Sequence, residues 1–146
     1  MWRLIFSFII TPALAGVFCI EKVENDTNEP YLSYALLKMA ERAILESGGE
    51  LSCEVSSKRV RVRVRDFREI PLAYSPSQRV NSYNLYLSFE VSVGGSSFSV
   101  GGSVPYSLPT GGLGDVPRRK AIDDLIDKIY FEVLKNFRRL EDADKG

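Results

Sequence analysis

An α+β two-layer sandwich, with two amphipathic helices packed on one face of a mainly antiparallel sheet of four to five strands, is the fold class that this sequence predicts. Three observations carry it. Valine and arginine alternate through Arg59-Val60-Arg61-Val62-Arg63-Val64-Arg65, the period-two signature of a half-buried strand. A second alternation sets Tyr83, Leu85, Leu87, Phe89, Val91 and Val93 against Asn84, Tyr86, Ser88, Glu90 and Ser92. Two further segments repeat apolar residues at helical spacing, each with one stripe to bury.

Taken in order, the chain opens with Met1-Trp2-Arg3, an almost wholly apolar run over residues 4–10, a Thr11-Pro12 break and Ala13-Leu14-Ala15 before Gly16. This is the layout of a secretory signal peptide over residues 1–15, and the run is too short to span a bilayer as a permanent helix. Residues 17–23 are apolar and β-branched enough for a first strand. The polar cluster Glu24-Asn25-Asp26-Thr27-Asn28 ends it, and Pro30 fits the first turn of a helix. Leu32, Ala35, Leu36, Met39, Ala40, Ala43 and Ile44 form the helix stripe, and Gly48-Gly49 closes it. Residues 50–55 are a candidate short strand carrying Cys53. Joined to the first strand through the helix, it makes a parallel βαβ crossover.

The long third strand runs over residues 59–74. Its alternation slips near Asp66, and Pro71 follows, which predicts a bulge or a frayed edge. After the Ser75-Pro76-Ser77 turn comes the strand centred on residues 83–93, then a tight Gly94-Gly95 hairpin. Its partner passes through Phe98, Val100, Val104 and Tyr106, with a bend expected at Gly101-Gly102. Residues 105–117, rich in glycine and proline, read as a loop. Ile122, Leu125, Ile126, Ile129, Val133, Phe137 and Leu140 then mark a helix of about 23 residues, roughly 34 Å long. One domain over residues 16–140 and a charged tail over 141–146 complete the reading. Both helices are expected on the valine side of the third strand, which leaves the arginine side uncovered by this chain.

Composition narrows the function. The 146 residues hold 19 basic and 19 acidic side chains, a net charge of zero, and no histidine. Losing residues 1–15 removes only Arg3, leaving 18 basic side chains against 19 acidic ones. Nucleic-acid binding rests on a basic excess, so no nucleic-acid partner is expected. Without histidine, the usual activated-serine arrangement cannot form, and two cysteines cannot make a four-thiolate zinc site. No metal, cofactor or catalytic residue is assigned. Glu24, Asp26 and Glu29 could form an acid/base or calcium cluster, but turn and cap roles fit their position better. Gly111-Gly112-Leu113-Gly114 lacks the lysine and serine of a phosphate loop.

In an exported chain, two cysteines point to a Cys19–Cys53 disulfide between neighbouring strands, with two separate buried thiols as the alternative. Leu14-Ala15-Gly16 approaches a lipobox, but Val17 and Phe18 intervene before Cys19, which is read as unlipidated. Three basic features remain: the ladder of Arg59, Arg61, Arg63 and Arg65; Arg79; and Arg118-Arg119-Lys120 at the start of the last helix. Positive charge there opposes the helix dipole, which an anionic neighbour would rationalise.

The junction Val23-Glu24-Asn25-Asp26-Thr27-Asn28-Glu29-Pro30 leading into a helix resembles the LPS-assembly lipoprotein family, LptE, where a hydrophobic residue, an acid, Asn-x-Thr and x-Glu-Pro recur at this point. Asn81-Ser82-Tyr83-Asn84-Leu85-Tyr86-Leu87 and the long final helix ending in Phe137-Arg138-Arg139-Leu140 are similar to it as well. The resemblance spans nearly the whole mature chain. It implies two helices on a four-stranded sheet, and a non-enzymatic role at the periplasmic side of the outer membrane. There the protein would plug the lumen of an LptD-type β-barrel and bind lipopolysaccharide during transport. Membrane association would run mainly through that barrel. In regions corresponding to the lipopolysaccharide contacts of relatives stand Arg79, Arg118, Arg119 and Lys120. The Arg59, Arg61, Arg63 and Arg65 ladder is expected to face the partner. A secreted cystatin-like binding or inhibitor module is the alternative reading.

Overall fold

A computed structural model describes residues 16–74, 80–108 and 115–145, with the backbone alone at 80, 115 and 141–145. The expected signal peptide, Arg79 and Gly111-Gly112-Leu113-Gly114 lie outside the described residues. The elements are β1 (Val17–Glu24), α1 (Pro30–Glu46), β2 (Glu50–Leu51), β3 (Lys58–Tyr74), β4 (Val80–Val93), β5 (Ser96–Ser107) and α2 (Asp115–Lys145). The five strands form one sheet in the order β2-β1-β3-β4-β5. β1 is parallel to both β2 and β3, and β3–β4 and β4–β5 are antiparallel. The α+β sandwich is therefore the observed architecture.

Both helices cover one face. The predicted α1 stripe is buried in full, from Leu32 to Ile44. It meets Val60, Val62, Leu85, Leu87, Phe89 and Val91 in a common core with Ile122, Leu125, Val133 and Phe137 of α2. Phe18 of β1 lies edge-on to Phe137 at 6.3 Å, and Phe98 of β5 meets the same ring at 5.6 Å. The end of α2 is thereby tied to both sides of the sheet. α1 stops at Gly48, whose φ of 94° is the left-handed conformation that glycine takes freely.

Three expectations are corrected. β2 has two residues, so Cys53 lies beyond it, not on a strand. The bridge to Cys19 nevertheless forms, with Cα atoms 4.7 Å apart. It joins β1 to the loop after β2, which Ser57 holds by donating to Ser52 O at 2.7 Å and accepting from Glu54 N at 2.9 Å. No bulge interrupts Gly101-Gly102, since the β4–β5 register is unbroken. The pair instead admits α2, because a Cβ on Gly102 would stand 3.0 Å from Ile129 Cγ2. Finally, α2 is 31 residues long rather than 23. It begins at Asp115 because Pro117, within the first turn, has no hydrogen bond to lose there. It continues through 141–145, read from sequence as a tail, where Glu, Asp, Ala and Lys offer no helix breaker.

Candidate functional site

The start of α2 stands against the Asn25–Pro30 junction and the distal part of β3. The junction is built by its own side chains. Asn25 Oδ1 accepts from Thr27 N at 3.0 Å and from Thr27 Oγ1 at 2.5 Å. Asn25 Nδ2 donates to Glu29 O at 2.9 Å and to Ser33 Oγ at 3.0 Å, and Glu29 N donates to Thr27 Oγ1 at 3.2 Å. Asn-x-Thr-x-Glu-Pro is thus a turn that hands the chain into α1 with its polar groups satisfied. It leaves the Glu29 carboxylate free to face α2.

Glu69 reaches the same place through a bulge. Val64 pairs with Phe89 but Asp66 pairs with Ser88, so Arg65 is the extra residue and the inward parity of β3 changes. Beyond it Phe67 and Glu69 pair with Leu87 and Leu85, on the helix side. There Arg118 Nε lies 2.8 Å from Glu69 Oε1, and Arg118 Nη1 lies 3.8 Å from Glu29 Oε1. The Tyr106 hydroxyl donates to the other Glu69 oxygen, and its ring stacks on Tyr83 at 5.6 Å. Burial, together with the Glu69 hydrogen bond and charge, pushes the Tyr106 hydroxyl well above its ordinary value. Burial works against the charge of Arg118, but Glu69, Tyr106 and Glu29 together outweigh it and the guanidinium is held more firmly protonated. Asp26, Thr27, Asn28 and Phe67 complete the walls of a hollow of about 470 Å³ around this network.

The three basic residues at the helix start therefore differ. Arg118 is committed inward, with 30% of its side chain exposed. Arg119 lies over the Tyr31 ring at 5.5 Å, and the Tyr31 hydroxyl donates to both Asp123 oxygens at 2.8 and 2.9 Å. Lys120 is open, 76% exposed and 3.0 Å from Asp124 one turn on. The anionic neighbours that offset the helix dipole are thus supplied within the chain for Arg118 and Lys120. Arg79, the fourth basic residue assigned to the ligand, lies outside the described residues.

The arginine ladder lies on the face away from the helices, as the alternation predicts, but it is not bare of counter-charge. Arg61 Nη2 stands 2.6 Å from Glu21 Oε1, Arg63 Nε 3.8 Å from Glu24, and Arg65 Nη2 3.9 Å from Glu90. Arg59 donates to Glu54 O at 3.1 Å. The expectation that these arginines lack partners in the chain is corrected, because Glu21, Glu24 and Glu90 come from the neighbouring strands. Glu21 is the residue skipped where the β1–β3 register shifts between Ile20 and Lys22. Lys22 also pairs with Glu24 at 3.3 Å. Towards β5 the same face turns uncharged, with Ser88 and Ser92 followed by Ser97, Ser99, Gly101 and Ser103.

Among the described residues no three side chains converge as metal ligands, and no helix is long and apolar enough to cross a membrane. Many of the described charges stand in opposed pairs. Sequence reasoning missed Glu69 and Tyr106. The slip in alternation near Asp66 was the available signal, but it does not say which residues end up inward.

No protein-family model matches the chain. An uncharacterised protein of Aquifex aeolicus (strain VF5) is 43% identical over 121 residues, 83% of this chain and 84% of its own length. A solved structure described as a "putative lipoprotein" from Caulobacter crescentus has a TM-score of 0.59 at 13% identity, over 87% of this chain and 93% of that one. Rare lipoprotein B from Shewanella oneidensis matches at a TM-score of 0.46 and 13% identity, over 89% and 96% of the two chains. The Caulobacter likeness shows a shared fold.

Proposed function

The chain belongs to one family with the uncharacterised Aquifex aeolicus protein, and from that premise we propose that it is an exported, non-enzymatic component of lipopolysaccharide transport and assembly at the outer membrane. It sits within the lumen of an LptD-type β-barrel and binds lipopolysaccharide at the basic start of α2.

The observation that carries the reading is the division of the sheet. One face is sealed by both helices, and the other is a broad hydrophilic surface of Arg–Glu pairs and serines. A surface of that kind suits a water-lined barrel wall, where apolar docking is not required and charge pairs stay hydrated. The Cys19–Cys53 bridge supports export, since disulfides persist in oxidising compartments. The fold shared with the Caulobacter crescentus structure supports the same class. For the glycolipid, Arg119 and Lys120 are the exposed cations, and lipid A phosphates are suitable counter-charges. Arg118 positions the end of the helix that presents them.

The test is binding of lipopolysaccharide by the mature chain across a range of salt. The expected result is an affinity that falls as salt rises and drops about tenfold on replacing Arg119 and Lys120 by alanine. Binding that is absent, or indifferent to both salt and the double replacement, would sink the assignment. Recovery of an outer-membrane β-barrel with the chain from cell envelopes tests the barrel separately.

A further inference from the structure

The two edges of the sheet are finished differently. On the β1 side, β2 is two residues long and the Cys19–Cys53 bridge closes beside it. β1 carries a register shift, and the charged Glu21, Lys22 and Glu24 follow. Short strands, irregularities and charge are devices that discourage further pairing at an edge. β5 is its opposite: 12 residues, none charged, with unbroken register from Val93↔Ser96 to Ser82↔Ser107.

Parity decides which β5 backbone groups point outward. Leu108 N donates to Asn81 O at 2.8 Å, which makes that a hydrogen-bonded pair. Antiparallel ladders alternate bonded and non-bonded pairs. Tyr83↔Tyr106 through Val93↔Ser96 are then the bonded pairs, and the last of them closes the two-residue Gly94-Gly95 turn. The intervening Ser97, Ser99, Gly101, Ser103, Pro105 and Ser107 turn their backbone groups to the outer edge. The distal half is guarded. Lys128 Nζ donates to Ser103 O at 2.9 Å, and Pro105 has no N–H to offer. Ser97, Ser99 and Gly101 carry neither guard.

We propose that this stretch of β5, residues 97–101, is a strand-addition site that takes an extended, acidic segment of another polypeptide. What it presents is a row of main-chain donors and acceptors at strand spacing, which another strand matches. The occupant is a lone strand because α2 lies directly over β5, close enough that a Cβ on Gly102 would crowd Ile129. A second copy paired edge to edge about a two-fold axis would bring its own α2 within about one strand spacing, ~5 Å, of the first. Packed helices need about 8–10 Å. The occupant is acidic because the flank of α2 beside this edge starts at Lys128 and continues at helical spacing through Glu132, Lys135 and Arg139, three positive charges to one negative. Side chains of an added strand that rise toward the helix layer run along that flank. This surface is separate from the basic start of α2, and its test stands whatever the lipopolysaccharide experiment returns.

Two synthetic nine-residue peptides, one alternating threonine with glutamate and the other threonine with lysine, serve as probes of the mature chain by amide hydrogen exchange. At millimolar glutamate peptide the amides of Ser97, Ser99 and Gly101 are expected to slow at least tenfold. The lysine peptide should bind several-fold more weakly. Ser99→Pro should abolish the protection while keeping the fold, since this N–H lies outside the β4 ladder. Ser97→Pro takes its place if Ser99→Pro disturbs the rest of the spectrum. No protection by either peptide, equal protection by both, or protection surviving the proline variants overturns the proposal. So does a dimeric free chain in light scattering that Ser99→Pro converts to monomer, since that outcome makes a second copy the occupant.

Discussion

Replacing Arg118 by alanine should destabilise the chain by about 2 kcal/mol. Breaking a fully buried ion pair by removing one partner costs about 3–5 kcal/mol, and an exposed pair is worth about 0–1. Arg118 and Glu69 keep 30% and 21% of their side-chain exposure, and Glu29 13%, so the cost falls between these limits. The substitution leaves Glu69 and Glu29 side by side without their shared cation, with the Tyr106 hydroxyl as the remaining donor to Glu69. Urea unfolding with the disulfide intact is the assay. At a slope of about 2 kcal/mol per molar, the midpoint should fall by about 1 M with the slope unchanged. Glu69→Gln in the Arg118→Ala background should then cost less than in the parent, with a coupling of about 1 kcal/mol. If Arg118→Ala leaves stability within about 0.5 kcal/mol of the parent while lipopolysaccharide binding collapses, Arg118 is a ligand residue and not a strut.

Removing the Cys19–Cys53 bridge, which closes a 34-residue separation that includes all of α1, should cost about 3.8 kcal/mol by chain entropy. A Cys19→Ser/Cys53→Ser chain with unaltered stability in urea would show that β1 and the loop after β2 are held by packing alone. Tyr130→Phe removes a hydrogen bond that, before burial and Arg42, sets the titration of Glu46 and lowers it. A depressed carboxyl contributes stability that is present above its unfolded value, near 4.5, and lost as pH falls through the folded value. Tyr130 is pushed up to about 12 by burial and Glu46, so its contribution is full below its unfolded value near 10 and lost as pH climbs through about 12. The stability gap between parent and Tyr130→Phe should therefore be widest near neutrality and close at both ends. A gap that is constant from pH 3 to 12 contradicts the assignment.

Periodicity was enough for whatever a single segment decides alone. The alternation of β3 and β4 and the stripe of α1 each fix an inward face, which is buried in full on α1 and for the most part on the strands. The elements that went astray depend on something outside the segment. α2 starts early because a proline that stops a helix when internal is tolerated in the first turn. The loop read over residues 105–117 starts only after Ser107, because Pro105 turns its nitrogen to an unpaired edge, a fact of sheet order and parity that local sequence does not contain. The site was less legible than the fold for the same reason. Glu69 meets Arg118 only because the bulge at Arg65 changes which side of β3 points inward. The ladder finds Glu21 only because the β1–β3 register skips it. In both cases a shift of one residue on a strand decides whether an arginine faces a carboxylate or water.

That dependence bears on what the arginine ladder is for. Four like charges on one strand repel, and the chain answers with acids from β1 and β4 instead of leaving the compensation to a ligand. Exposed pairs of this kind contribute little stability, so a stabilising role does not account for the pattern. What they provide is a solvent-facing surface on which Glu21, Glu24 and Glu90 answer Lys22 and three of the four arginines, which deters apolar association and weakens the pull on anions. The barrel-lumen placement we propose would use such a face on the side that must not stick, with open cations elsewhere. Arg119 and Lys120 stand at the start of α2, in the helix layer, while Arg61, Arg63 and Arg65 are paired across the opposite surface. The ladder that dominates the sequence is thus largely answered by carboxylates of the neighbouring strands. The less conspicuous basic residues at the helix start are the ones we propose to meet an anion.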